Sequence, residues 1–173
     1  FEVPKRDLEK AKKLLDEAGW TGEASRSKDG KPLDVELVIS EDAIPGSRAL
    51  GEVLQNAFSE AGIGLSLRNV DHAARHGDIP QFKYDISLFI TNGAPYDPYN
   101  TLVQSVLSTT EPGTDGKIYE DVAVDPLVLK AIVAPEAERP EAFQAVFTWL
   151  HDNWAMAPLY HSQRIWVHGD RIK

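Results

Sequence analysis

A chain of 173 residues, 42% hydrophobic and 26% charged, is long enough to build a domain around a buried core. Its 18 Lys and Arg against 27 Asp and Glu leave a net charge of −9, which argues against nucleic acid or an anionic membrane surface as a partner. With no cysteine, disulfides, thiolate metal sites and cysteine nucleophiles are excluded, and no run of about 18 apolar residues offers a spanning helix.

Leu8, Ala11, Leu14, Leu15 and Ala18 recur at helical spacing and predict a first helix with that stripe buried and Gly19 as its C-cap. Glu9, Lys10, Lys12, Lys13 and Asp16 make its solvated face. A polar loop over residues 21–31 closes on the turn signal Asp29-Gly30. Leu33, Val35, Leu37 and Ile39 then alternate with Asp34, Glu36, Val38 and Ser40, the pattern of a strand. Ser47 is the expected N-cap of a helix that buries Leu50, Val53, Leu54, Ala57, Phe58 and Ala61 and stops at Gly62. Ile63, Leu65 and Leu67 give a second strand. Strand, helix and strand at this spacing predict a βαβ unit with parallel strands and a right-handed crossover.

Residues 71–82 form a short connection interrupted by Gly77 and Pro80. It leads to YDISLFITNGAPYDPYN, Tyr84 to Asn100, the stretch around which the chain is organised. Tyr84, Ile86, Leu88 and Ile90 alternate as a strand that stops at Asn92-Gly93. Asp97-Pro98 opens a helix, with Asp97 as the cap and Pro98 at the first helical position, and Tyr99, Leu102, Val103, Val106 and Leu107 form its stripe. A loop between a strand and the next helix lies at the carboxyl edge of a sheet, where open α/β folds bind ligands. Residues 108–122 are irregular. Asp125-Pro126 opens a helix with Leu127, Val128, Ala131 and Ile132, and Pro140 opens the last, with Phe143, Val146, Phe147 and Leu150 inward. Residues 156–161 and 164–168 read as strands.

Chemistry-bearing clusters are few. His72 and His76 share a helical face, but no H-E-x-x-H pattern surrounds them, so they are expected as a surface pair and no metal site is expected. His151, His161 and His168 have no common spacing. No P-loop, G-x-G-x-x-G or G-x-S-x-G occurs, so nothing argues for an enzyme. Trp20, Trp149, Trp154 and Trp166 are core candidates. Tyr96 differs: between Pro95 and Asp97 its ring has no place on the strand's core face, and it is the first candidate to meet a ligand.

The same stretch resembles the middle of the family 5 extracellular solute-binding proteins, receptors of ABC importers for peptides, nickel chelates and other small solutes. DLEKAKKLLDEAGW (Asp7 to Trp20), KDGKPLDVELVIS (Lys28 to Ser40) and FQAVFTWLHDNWAMAPLYH (Phe143 to His161) are similar to further pieces of that family, in the same order. GAPYDP, Gly93 to Pro98, resembles the nickel-receptor branch, whose Tyr at this place lines the chelate site. That implies a ligand-binding role for Tyr96, with Asn92, Gly93 and Ala94 beside it. Where that branch has a stacking Trp this chain has Asn92, and where it has a nickel-ligating His the alignment falls near Thr110, with no His from Ser108 to Tyr119. Where the peptide branch has an Asp for the ligand's α-amino group this chain has Ala94, which removes a charge-assisted bond.

The expected fold is α/β, a mostly parallel sheet from βαβ units with helices on its faces, resembling a type II periplasmic-binding-protein lobe, with possible antiparallel pairing of the last strands. The resemblance implies that 1–173 is a single, C-terminal lobe of a two-lobe receptor whose N-terminal lobe is absent from the chain. It further implies a periplasmic or extracellular monomer that needs no cofactor, takes a small-molecule solute and delivers it to ABC permease subunits. The competing readings are a cytosolic regulator that reuses the lobe to sense a metabolite, and an α/β enzyme with an unrecognised site.

Overall fold

The alternation from Leu33 to Ser40 becomes the central strand of the molecule. The structure, a computed structural model, describes residues 5–91, 97–108, 119 and 121–160. The chain divides into two compact units, Phe1–Asp125 and Pro126–Lys173.

The first unit opens with α1, Leu8–Glu17, capped by Asp7, whose carboxylate accepts from the Lys10 amide at 2.9 Å. The predicted stripe is present but not buried: no α1 residue is, and Leu14 is 54% exposed. A two-strand hairpin follows, β1 (Ser27–Lys28) against β2 (Lys31–Pro32). Asp29 and Gly30 both have positive φ (53° and 75°), the conformation of a tight hairpin turn whose twist suits the strands. The sequence showed this turn but not the strands around it, which are too short for any periodicity.

β3 (Asp34–Ile39), α2 (Ser47–Glu60) and β4 (Gly64–Asn69) form the expected βαβ unit, with β3 and β4 parallel from Asp34↔Gly64 to Ile39↔Asn69. β5 (Ile86–Ser87) pairs parallel with the other edge of β3, giving the order β4-β3-β5. Parallel sheets are covered on both faces, and on the central strand Val38 and the following Ser40 are buried along with Leu37 and Ile39. The core gathers Leu37, Ile39, Ile44, Leu65 and Leu88, with Leu50, Leu54 and Phe58 of α2 packed against it. Val53, predicted on that face, is exposed.

The cap of α2 corrects the sequence reading. Gly46, with φ 83°, holds the N-cap position, and Ser47 is already helical. The capping group is Glu41: its carboxylate accepts from the Gly46 amide at 3.0 Å, the Arg48 amide and the Ser47 hydroxyl. Those backbone bonds hold the Glu41 carboxyl below its ordinary range.

The predicted strand at 84–90 shrinks to two paired residues because side chains intercept the ladder at both ends. The Glu36 amide of β3 donates to the Asp85 carboxylate at 2.8 Å instead of to a main-chain carbonyl. The Leu88 carbonyl is taken at 2.9 Å by Arg75 of α3 (His72–Asp78). A 3₁₀ turn over Ile79–Gln81 ends at Phe82 with positive φ, 52°, so the chain enters β5 from a reversal. α4 spans Tyr99–Ser105 with Pro98 as N-cap, one position later than the predicted cap at Asp97 and start at Pro98. Its buried face includes Thr101 and Ser105 beside Leu102 and Val106, while Tyr99 is exposed.

Asp125 begins α5 (Asp125–Val133) but is not a simple cap. It is buried, and its carboxylate accepts the Ser108 amide at 2.9 Å and the Ser108 hydroxyl, closing the base of the irregular segment. In the second unit α6, Arg139–Asp152, buries Phe143, Val146 and Leu150 as the spacing predicts, with Ala142 beside them, while Phe147, expected inward, is exposed. Residues 156–160 form no strand: Trp154 turns with φ 53° and Pro158 has no N–H for a ladder. Among the described residues antiparallel pairing occurs only near the hairpin, between β1 and β2 and at the bridge Thr21↔Ser27. The strand expected at 164–168 lies outside the described residues.

Candidate functional site

Three parallel strands end on one edge. β3 runs into Ser40 and the loop held by Glu41, β4 into Val70, Asp71 and α3, and β5 into Leu88–Thr91. Ser40 is buried there, its carbonyl accepting the Ile44 amide at 2.8 Å and its hydroxyl without a partner among the described residues.

The predicted binding residues Asn92, Gly93, Ala94 and Tyr96 lie outside the described residues. What the structure supplies is the frame on either side of them. On the strand side, Arg75 holds the Leu88 carbonyl. Burial draws the Arg75 guanidinium below its ordinary range and raises the nearby Tyr84 phenol. Arg68 of β4 donates to Glu36 at 2.6 Å, to Asp78 at 2.6 Å and to the Lys83 carbonyl, tying two strands, α3 and the entry to β5 together. On the helix side, Asp97 accepts from the Tyr99 amide at 2.9 Å, and α4 is anchored by Leu102 and Val106.

The framing residues were not singled out by the sequence reading. Arg68 left one signal, a cation near the end of the otherwise apolar run IGLSLRN. Asp85 and Arg75 left none, because each acts on a backbone group distant in sequence.

Among the described residues no group of three or more His, Asp or Glu is placed to hold a metal. His72 and His76 do share a face of α3, as their spacing predicts. His151 lies near the end of α6 with Nδ1 3.0 Å from Asp152, stacked against Trp154. Trp154 is 69% exposed and not a core residue, while Trp20 and Trp149 are half-buried. His161, His168, Trp166 and Thr110 lie outside the described residues. Among the described residues the edge offers backbone groups and the flanks on either side of 92–96.

Comparison with known proteins agrees with this geometry. Residues 1–113 match the sequence model described as bacterial extracellular solute-binding proteins, family 5, middle. The nickel-binding periplasmic protein of Escherichia coli (strain K12) is 30% identical over 162 residues, covering 88% of this chain and 30% of that protein. The crystal structure of an ABC transporter substrate-binding protein from Sinorhizobium meliloti is 48% identical with a TM-score of 0.82, over 92% of this chain and 32% of that one. NikA from Brucella suis, solved in complex with Fe(III)-EDTA, is 30% identical with a TM-score of 0.67, over 82% of this chain and 29% of that one. The chain thus spans about a third of the length of these relatives.

Proposed function

This chain belongs to the family 5 bacterial extracellular solute-binding proteins, with the α/β fold of type II periplasmic binding proteins, and from that premise we propose that it is the C-terminal lobe of a receptor that captures a small solute for an ABC importer. The lobe closes with a second lobe on a peptide, a metal chelate or a solute of similar kind, and the loaded receptor delivers it to the permease in the membrane. The receptor works outside the cytoplasm as a monomer, by binding and without covalent chemistry. Membership of a family of solute-binding proteins favours this over a cytosolic sensor or an enzyme.

The observation that carries the reading is the common carboxyl edge of β4, β3 and β5, with the Leu88 carbonyl held by Arg75 before residues 92–96 and Asp97 accepting from the Tyr99 amide after them. Ligands of open parallel sheets lie at that edge, where loops converge and no strand blocks access. On this reading Tyr96 offers its ring and hydroxyl, and Asn92, Gly93 and Ala94 line the wall beside it. No acid stands at Ala94 for a peptide's ammonium, so orientation of the solute falls to other groups.

Native mass spectrometry of the longer receptor, purified without denaturation, identifies the co-purifying solute. Calorimetry with that solute then compares the parent with Tyr96→Ala. We expect binding weaker by at least about tenfold, or 1.4 kcal/mol, with an unchanged unfolding midpoint. Unchanged affinity removes Tyr96 from the site.

A further inference from the structure

His72 and His76 stand one turn apart on α3 with their Nε2 atoms 3.0 Å apart. The ring centroids are 4.2 Å apart and the planes tilted by 55°, so the imidazoles lean together at their Nε2 tips. His72 is exposed and His76 half-buried. Sequence alone reads these as a surface pair without a metal role. The geometry adds a distance that ligand chemistry can use. Two imidazole nitrogens bound at about 2.0–2.1 Å to one cation lie ~2.9 Å apart when cis in a square or octahedral shell, and ~3.3 Å apart in a tetrahedron. The observed spacing is the cis one.

We propose that His72 and His76 form a two-imidazole chelate on the surface of α3 for a late first-row divalent cation with a tetragonal preference, Cu(II) foremost and Ni(II) after it. In the metal-free protein one Nε2–H donates to the other Nε2. The cation takes both Nε2 lone pairs once the donor ring has moved its proton from Nε2 to Nδ1 through solvent. Water completes the shell, since no third His, Asp or Glu among the described residues joins the pair.

α3 is set for this role by its anchors. Asp71 caps it, accepting from the Ala74 amide at 2.7 Å, and Arg68 holds Asp78 near its far end. Arg75, a cation one position from His76, is tied to the Leu88 carbonyl. The two imidazoles are thus carried on a fixed helix, so little order is lost on chelation.

The test titrates Cu(II), Ni(II) and Zn(II) separately into the untagged 173-residue chain and into the variants His72→Ala, His76→Ala and the double variant. Calorimetry gives affinity, and Cu(II) electron paramagnetic resonance counts coordinated nitrogens. We expect one Cu(II) per chain at micromolar affinity, two equivalent nitrogen couplings, and at least a tenfold loss in either single variant with no further loss in the double. Binding unaltered by both substitutions overturns the proposal, and so does a single-nitrogen signature. Circular dichroism of the variants, expected to match the parent because neither His is in the core, separates loss of a ligand from loss of the fold.

Discussion

Arg26 is a buried cation within the first unit. Its side chain is 4% exposed, and its guanidinium donates to the Ala61 carbonyl at 2.8 Å, the Trp20 carbonyl at 2.6 Å and the Asp16 carboxylate. The ends of α1 and α2 are thereby joined through one cation. Arg26→Ala leaves two carbonyls without that donor, and we expect a loss of about 2–4 kcal/mol in urea unfolding. Asp16→Asn should cost under about 1 kcal/mol, because Asp16 is largely exposed and its share of the pair is screened. Equal losses would mean that the ion pair, not the carbonyl contacts, carries the effect. Glu41 gives a pH signature. Its carboxyl is held low in the folded state, so its stabilisation is complete above the unfolded carboxylate range, near pH 4–5, and is lost as pH falls through the lower folded value. Glu41→Ala should therefore melt below the parent at pH 7, with a gap that narrows as pH falls below the unfolded carboxylate range. A gap that does not change with pH contradicts capping by the ionised form. Neither residue was legible in advance: Arg26 lies in a polar loop, and Glu41 caps a helix that begins six residues later.

At the scale of elements the sequence was informative wherever a periodic run met a large partner. β3, α2 and β4 appear where the alternation and the apolar stripe put them, since hydrophobic pattern and burial coincide there. α2 lies close against the sheet at Gly51, where an added Cβ would come within 3.0 and 3.1 Å of the two Leu67 methyls and 3.5 Å of Ile39. Gly51→Val therefore pushes helix and sheet apart, and we expect a loss of about 1–3 kcal/mol by chemical denaturation. A neutral result would show that Leu67 yields without cost. Where pattern and structure part, a side chain has replaced a backbone partner. Asp85 and Arg75 stop β5 after two residues, although Tyr84 to Ile90 alternates well. Periodicity reports which face is apolar; it does not report what ends a ladder. α1 fails differently: its stripe is correct, yet no residue of the helix is buried.

For the whole molecule, the chain corresponds to about a third of the length of its relatives. A ligand pocket encloses about 70–90% of its guest, and on the proposed two-lobe reading this chain supplies only one of its two walls. We expect the 173-residue chain to bind the co-purified solute at least about a hundredfold more weakly than the longer receptor, a loss of roughly 3 kcal/mol. Equal affinities in calorimetry would place the whole site within this chain. The candidate loop itself was marked in the sequence by its turn residues and its place after a strand. Its frame was not, because that frame is made of contacts across long sequence separations. The unequal seams of the sheet have a kinetic consequence. β3 is joined to β4 over six register pairs and to β5 over two. The weaker seam breaks first, so the strand leading into the candidate loop should detach and return many times during each lifetime of the βαβ unit. In native-state hydrogen–deuterium exchange, the Ile86 and Ser87 amides should lose protection well before those of Leu65 and Leu67. A common exchange rate across both seams would mean that the sheet opens as one body, and that the loop moves only when the whole unit does.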